Sequence, residues 1–537
     1  MTRQSETETD IVVAGGGLGG VAAALAALRR GRSVVLVEET GWIGGQLTSQ
    51  GVPPDEHTWI EQFGCTRSYR GLRDKIRDYY RTWYPLTDEA RARPDLNPGE
   101  GRVSRLCHEP KVAVAVLEAM VAPYVGSGRL RILYGSRVVA ADVDGDTVRA
   151  VTVEGPEGEQ LVVSASYVLD ATELGDLLPL TGAEHVTGFE SGRETGEPSA
   201  PDEAQPDNMQ AFSWLFAIDH RAGEDHTIDR PAGYSDWVRY QPPKWPNPLL
   251  SLHAPDPRTL ENVRRDFIPN AESGPVVADQ RADPGDKELW AFRRVLSRKV
   301  FRPGFAASDV TIVNWPMIDY LPGPLIGVSD DERNKHLAGA RELSLSMLYW
   351  LQTEAPRLDG GTGWPGLRLR GDVLGTADGL AKAPYIRESR RIEARYRIVE
   401  QDLSMQVRGD RGAVNYPDSI GVGMYRIDLH PSTGGDTYID VASCPFQIPL
   451  GALLPVRMRN LLAAAKNIGT THITNGCYRL HPVEWNVGEV AGALAAHCLD
   501  NALEPEQVHA DSNRLRAFQG ELVADGIELA WPEVKGY

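Results

Sequence analysis

The clearest pattern of apolar and polar positions lies between Asp10 and Glu39. Residues 11–14 are a short β-branched apolar run, residues 21–28 an unbroken Ala/Val/Leu stretch of helical length, and residues 34–37 a second apolar run. Strands without alternation suit a parallel sheet covered on both faces, so the segment reads strand, glycine turn, helix, turn, strand. Further on, the pattern predicts helices over 71–83 and 109–121 and strands over 131–134, 137–141, 148–153 and 161–169, with Asp144-Gly145-Asp146 as a hairpin turn. Residues 85–100 and 182–207 read as loops. Strands are expected over 211–218 and 309–314, long helices over 330–355 and 387–402, a buried strand over 461–465, and helices over 483–499 and 513–525.

The first turn carries the chemistry. Gly15, Gly17 and Gly20 form G-x-G-x-x-G between strand and helix, and Glu38 ends the second strand 18 positions after Gly20. Gly15 permits the tight turn, Gly17 admits a diphosphate to the backbone, and Gly20 lets the helix pack close. The diphosphate is held by the free N–H groups of the helix start, and the terminal acid receives ribose hydroxyls. These positions together predict a dinucleotide site.

Glu38 and Glu39 are followed by Gly44-Gly45-Gln46, giving E-E-x-x-x-x-G-G. This resembles the N-terminal signature of FAD-dependent oxidoreductases of the glutathione-reductase-like superfamily. The resemblance implies FAD, with the second glycine pair close to the diphosphate and ribityl chain. The later Asp170-Ala-Thr-Glu-Leu-Gly-Asp176 stretch, Tyr385-Ile-Arg-Glu-Ser-Arg-Arg-Ile392 and Tyr425-Arg-Ile-Asp-Leu-His-Pro431 also resemble that family. By the same resemblance, the cofactor is lined by Gly15, Gly17, Leu18, Gly20, Glu38, Glu39, Gly45 and Gln46. Backbone near Val138 holds the adenine, and the Ala171-Thr172 turn packs over the cofactor. Asn467, Asn486 and Gly488 complete the set, with N–H groups at 486–489 of the last long helix facing the flavin. Family members carry Gly-Arg after the buried strand, where this chain has Ala465-Lys466.

Composition narrows the partners. A net charge of −18 disfavours nucleic acid and anionic membranes. No apolar run approaches ~20 residues and the first ten are polar and acidic, so neither a membrane span nor a signal peptide is expected. Cys65, Cys107, Cys444, Cys477 and Cys498 are scattered without C-x-x-C, which fits reduced thiols in a cytoplasmic enzyme. Cys65 reads as structural, since a redox thiol needs a second one nearby. No zinc spacing, G-x-S-x-G element or second dinucleotide βαβ unit is present.

At 537 residues the chain has room for two or more domains. The expectation is an α/β protein: a discontinuous Rossmann-like FAD-binding domain at 1–207 and 441–537, and an inserted α+β substrate-binding domain at 208–440. The expected activity is hydride removal from a small organic substrate by the flavin, with oxygen or a carrier as electron acceptor. A flavin monooxygenase and a non-redox flavoprotein are the alternatives, and a homodimer is an allowed assembly. The proton acceptor is sought among His472, His481 and His430. Arg479 either holds a substrate carboxylate bidentately or forms a structural ion pair. The arginines of 387–402 are expected on a salt-bridged helix face.

Overall fold

The computed structural model describes residues 4–272 and 287–534. Its central sheet grows from β1 (Gln4–Ala14), which pairs in parallel with β2 (Val34–Glu38), Ile11 opposite Val34 and Ala14 opposite Val37. The link between them is α1 (Leu18–Arg29), the Ala-rich helix whose every residue before Arg29 is buried. After α2 (Arg67–Trp83) and α3 (Pro110–Gly126), β3 (Leu130–Tyr134) adds in parallel beside β2. The antiparallel hairpin of β4 (Arg137–Asp144) and β5 (Thr147–Glu154) then leads to β6 (Gln160–Asp170), which pairs with β5 and, in parallel, with β1.

The chain leaves this sheet after β6 and returns almost 300 residues later. In between, β7 (Phe216–His220), β8 (Arg294–Leu296), β9 (Val310–Val313) and β10 (Leu367–Leu369) form an antiparallel sheet in the order β8-β9-β7-β10. The long α4 (Asp330–Thr353) begins at a Ser329–Glu332 capping box, which satisfies its first free N–H groups. A two-stranded hairpin, β11 (Ile427–Leu429) and β12 (Ile439–Val441), follows. The chain rejoins the central sheet as β13 (Leu461–Ala463), parallel to the end of β6, and closes with α5 (His472–Tyr478), α6 (His481–Asn501) and α7 (Ser512–Asp525).

α6 lies directly on α1. An added Cβ on Gly488 would come 1.9 Å from the Gly19 carbonyl oxygen, and one on Gly492 would come 2.1 Å from that of Ala23. Residues as small as these allow two helix backbones to touch, which fixes the start of α6 beside the start of α1.

One expected element is absent. Residues 387–402 are extended: Arg391–Ile392 pairs antiparallel with His185–Val186, and only Glu400–Asp402 makes a helical turn. The arginines do form ion pairs, with carboxylates from other segments rather than along a helix face. Arg387 reaches Asp319 at 3.1 Å, Arg390 reaches Asp176 at 3.0 Å, and Arg391 lies between Glu190 at 2.9 Å and Glu388 at 2.5 Å. Buried guanidinium groups need these partners, and that demand outweighs the local helical preference.

Candidate functional site

Two clefts are built on this frame. The first, a space of about 620 Å³ that includes its opening to solvent, lies over the glycine turn at the head of α1. Gly15 adopts φ +97°, and the turn places Gly17 at the N-cap of α1. An added Cβ on Gly20 would sit 1.9 Å from the Gly15 carbonyl oxygen, so helix and turn touch as the spacing predicted. Gly15, Gly17, Glu38, Glu39, Gly45, Val138, Ala171 and Thr172 all line this cleft. The Ala171–Thr172 turn is locked by Asp170, whose carboxylate accepts from the Thr172 N–H at 3.0 Å and its hydroxyl at 2.7 Å.

Glu38 is buried at the edge of β2. Its carboxylate accepts from the Gly16 N–H (3.1 Å), the Thr40 N–H (2.7 Å) and the Thr40 hydroxyl (2.6 Å). Burial raises its pKa to about 7 despite these bonds.

Gly44 and Gly45, at φ +109° and +51°, bring the second glycine pair against the first; a Cβ on Gly45 would come 2.8 Å from Gly17 Cα. Around this junction sits an ionic cluster that the motif reading did not assemble. Lys466 Nζ pairs with Glu173, and Glu484 accepts the Gly19 N–H at 3.2 Å and also bonds Gln46. Burial would lower the Lys466 pKa, but Glu173 and Glu484 outweigh it and raise it, while burial raises that of Glu484. Glu484 thus serves the start of α1 as well as its own helix. The signal available in the sequence was the Lys in place of Arg; the two glutamates become neighbours only through the fold.

The remaining cofactor positions fall differently. Leu18 is the buried first residue of α1. Asn467 lies under the sheet edge, donating from Nδ2 to the Asp170 carbonyl at 3.0 Å. Asn486 and Gly488 require a correction. α6 begins at His481, so N–H groups at 486–489 lie inside the helix, where they are committed to i−4 carbonyls. Asn486 Nδ2 donates to the Ile420 carbonyl at 3.1 Å and Gly488 is spent on the α1 contact. The open donors of α6 are the N–H groups of His481 and Val483 in its first turn, since Pro482 has none and that of Glu484 bonds the Leu480 carbonyl at 2.8 Å.

The second cleft, a space of about 810 Å³ that includes its opening to solvent, is walled by the β11–β12 hairpin. Strand alternation puts Arg426, Asp428 and His430 on one face, with Tyr438 and Asp440 beside them, while Ile427 and Leu429 turn into the core. His430 Nδ1 lies 2.5 Å from Asp319 Oδ2. Asp319 is fully buried and also receives the Ser213 hydroxyl at 2.5 Å. Burial alone would raise its pKa, but Arg387 and His430 outweigh burial and hold the carboxyl below its usual range.

Of the three candidate histidines, only His430 lines this cavity. His472 is enclosed, with Nδ1 on Glu388 at 2.9 Å and its ring stacked on Phe189 at 4.0 Å. His481 Nδ1 accepts the Asp55 N–H at 3.1 Å, and burial drives its pKa down to about 3. Arg479 is buried, donating to the Tyr385 hydroxyl (2.6 Å) and the Asp428 carbonyl (3.1 Å). It also joins the two clefts: its carbonyl takes Gln46 Nε2 at 3.2 Å, and its guanidinium lies 3.5 Å from the carboxylate of Asp428.

Comparison with known proteins settles the family. The sequence profile described as FAD dependent oxidoreductase matches residues 10–522. The chain belongs to that family. It is an enzyme, and its cofactor is FAD. A curated relative, the FAD-dependent monooxygenase ntnJ of Nectria sp, is 28% identical over 154 residues, 29% of this chain and 35% of that one. The chain thus matches about a third of the relative's length. Among solved structures, glycerol-3-phosphate dehydrogenase from Bacillus halodurans complexed with FAD aligns at TM-score 0.25 and 16% identity over 40% of this chain and 41% of that one. OxyS anhydrotetracycline hydroxylase from Streptomyces rimosus gives 0.25 and 17% over 40% and 38%. Overlap on this scale is partial.

The first cleft suits FAD on its own terms. The first turn of α1 contains no acidic residue of its own; Glu484 takes the Gly19 N–H, and the rest of the positive end is left to an anion. Gln50, which lines the cleft, is buried with its Oε1 lacking a partner among the described residues, as is Gln46 Oε1 beside it. Glu38 would hold the ribose hydroxyls, the Gly15–Gly17 turn the diphosphate, and the first turn of α6 the pyrimidine edge of the flavin. No described helix is long and apolar enough to cross a membrane.

Proposed function

We propose that this family member removes a hydride from a C–H bond of a small organic molecule seated in the 810 Å³ cavity, with His430 as proton acceptor. Bound FAD supplies the two-electron acceptor, which oxygen or a carrier then reoxidises. The observation that carries the reading is the His430–Asp319 contact on the cavity wall. An Nδ1–H committed to a buried carboxylate leaves Nε2 as the basic nitrogen, which is the tautomer a proton acceptor needs. Arg387 and the Ser213 hydroxyl keep that carboxylate ionised and oriented. Arg479 stands where the cavity approaches the cofactor side, its carbonyl on Gln46 and its guanidinium 3.5 Å from the Asp428 carboxylate.

In this reading 1–207 and 441–537 form the FAD-binding domain and 208–440 the inserted substrate-binding domain. The return of β13 to the edge of β6 supports that division. All five cysteines are buried and unbridged, which suits a reducing cytoplasm. Anaerobic mixing tests the chemistry. Bleaching of the flavin by an organic substrate alone is expected. Bleaching only by NAD(P)H would replace this reading with a monooxygenase.

A further inference from the structure

The cavity beside His430 has an unbalanced demand for hydrogen bonds. Asn314 and Trp315 follow β9 and line the wall, at 5% and 1% exposure. Asn314 Nδ2, Trp315 Nε1 and Arg293 Nε are buried donors without an acceptor among the described residues, and no carboxylate or amide oxygen of this wall is buried without a donor among them. An unmade hydrogen bond from a buried donor is costly, so an occupant with acceptor atoms is favoured.

Charge says what kind of acceptor. The wall carries three aspartates and three arginines, and each carboxylate already has a guanidinium. Asp55 lies 3.4 Å from Arg293, Asp440 contacts Arg426 and lies 3.9 Å from Arg258, and Asp428 lies 3.5 Å from Arg479. Each arginine of this wall is already held by a carboxylate, so a carboxylate ligand would have to displace one and would be desolvated beside three others. The acceptor is therefore a neutral oxygen. The remaining surface is shared between the rings of Phe292, Trp315, Tyr425 and Tyr438 and the aliphatic Val103, Pro257, Leu289 and Pro316; the ring faces favour a flat π-system that can stack on them.

We propose that this cavity takes a neutral, planar aromatic substrate that presents a carbonyl oxygen to Asn314 Nδ2 and Trp315 Nε1. This deepens the reading of the cavity as the substrate site and rests on it. The test is calorimetric titration of the FAD-loaded protein with three probes: 6-hydroxy-2-acetonaphthone, 6-hydroxy-2-naphthoate and 2-acetyldecalin. The aromatic ketone is expected to bind at least ~10-fold more tightly than either other probe. Asn314→Leu should weaken it ~10-fold while moving the naphthoate less than about twofold. Trp315→Phe, which keeps a ring and removes the N–H, makes the same comparison if the first variant does not fold. Tightest binding by the naphthoate, equal binding by the decalin, no binding of the ketone, or indifference of the ketone to loss of a donor would each overturn the proposal. Binding is read without turnover. The ranking can therefore fail while a substrate still bleaches the flavin, or hold while none does, and the two failures are told apart.

Discussion

His430 Nδ1 and Asp319 Oδ2 stand 2.5 Å apart, although 111 residues separate them in the chain. The carboxylate is fully buried and the imidazole lines the cavity, so the pair presents one oriented nitrogen to whatever the cavity holds. Replacing His430 with Gln keeps a polar side chain and removes the base. The anaerobic rate of flavin bleaching by substrate should fall ~10²–10⁴-fold, with the FAD content of the purified protein unchanged. Asp319→Asn should lower the same rate by freeing the wrong tautomer, and here KM should move far less than kcat. A His430→Gln variant that bleaches at the parental rate would remove His430 from the chemistry.

This pair also marks how far the sequence could be read. Residues 10–39 announce themselves because strand, turn, helix and acid are consecutive, and each has a local cause: Gly15 at positive φ, Gly20 against a carbonyl, Glu38 at a strand end. His430 could be nominated from its segment, but its partner Asp319 could not, since an ion pair across 111 residues leaves no periodicity. The same limit explains residues 387–402, where a run of arginines at helical spacing proved to be extended around buried carboxylates from elsewhere in the chain. The open donors of α6 lie in its first turn rather than at 486–489, because the helix begins at His481 and the deeper N–H groups are taken by i−4 carbonyls.

Gly17 and Gly20 sit three residues apart and should fail in different ways. A Cβ on Gly17 meets only Glu173 Oε1 at 3.1 Å and Glu484 Oε1 at 3.4 Å, both at the ends of flexible side chains, and φ of −63° is open to any residue. Gly17→Val should therefore fold, with a native circular dichroism spectrum, and purify colourless because the side chain takes the space of the diphosphate. A Cβ on Gly20 would lie 1.9 Å from a backbone oxygen, so Gly20→Val should be insoluble or unfolded. Yellow Gly17→Val protein would contradict the site.

Glu38 gives cofactor binding a pH dependence of known sign. Its folded pKa of about 7 lies above the ordinary value, so its contribution to the stability of the unliganded fold is present in acid and lost as pH rises through 7. FAD favours the ionised carboxylate, which accepts ribose hydroxyls, so affinity should move the opposite way. The dissociation constant is expected to rise as pH falls from 8 to 6, by up to about tenfold per unit below 7. Glu38→Gln should bind more weakly at pH 8 and show a flatter dependence. Equal slopes for the two proteins, measured by fluorescence quenching of added FAD, would assign the titration to another group.

Lys466 is the cation that lets Glu173 and Glu484 approach the glycine junction. Lys466 and Glu484 are buried and Glu173 is half-buried, so one ammonium stands between two carboxyl groups at the cleft floor before any diphosphate arrives. Lys466→Met removes the ammonium and keeps the length, so two carboxylates would face each other and the cofactor without a counter-charge. Breaking a buried pair from one side costs about 3–5 kcal/mol, and FAD retention should suffer with it. The double variant Lys466→Met/Glu173→Gln removes the uncompensated carboxylate as well, and should recover a large part of both losses. If the two substitutions simply added, in denaturant midpoints and in the FAD content of the purified protein, Lys466 and Glu173 would not be acting as a pair. Recovery of stability without recovery of FAD would mean that the ammonium is also needed by the diphosphate itself.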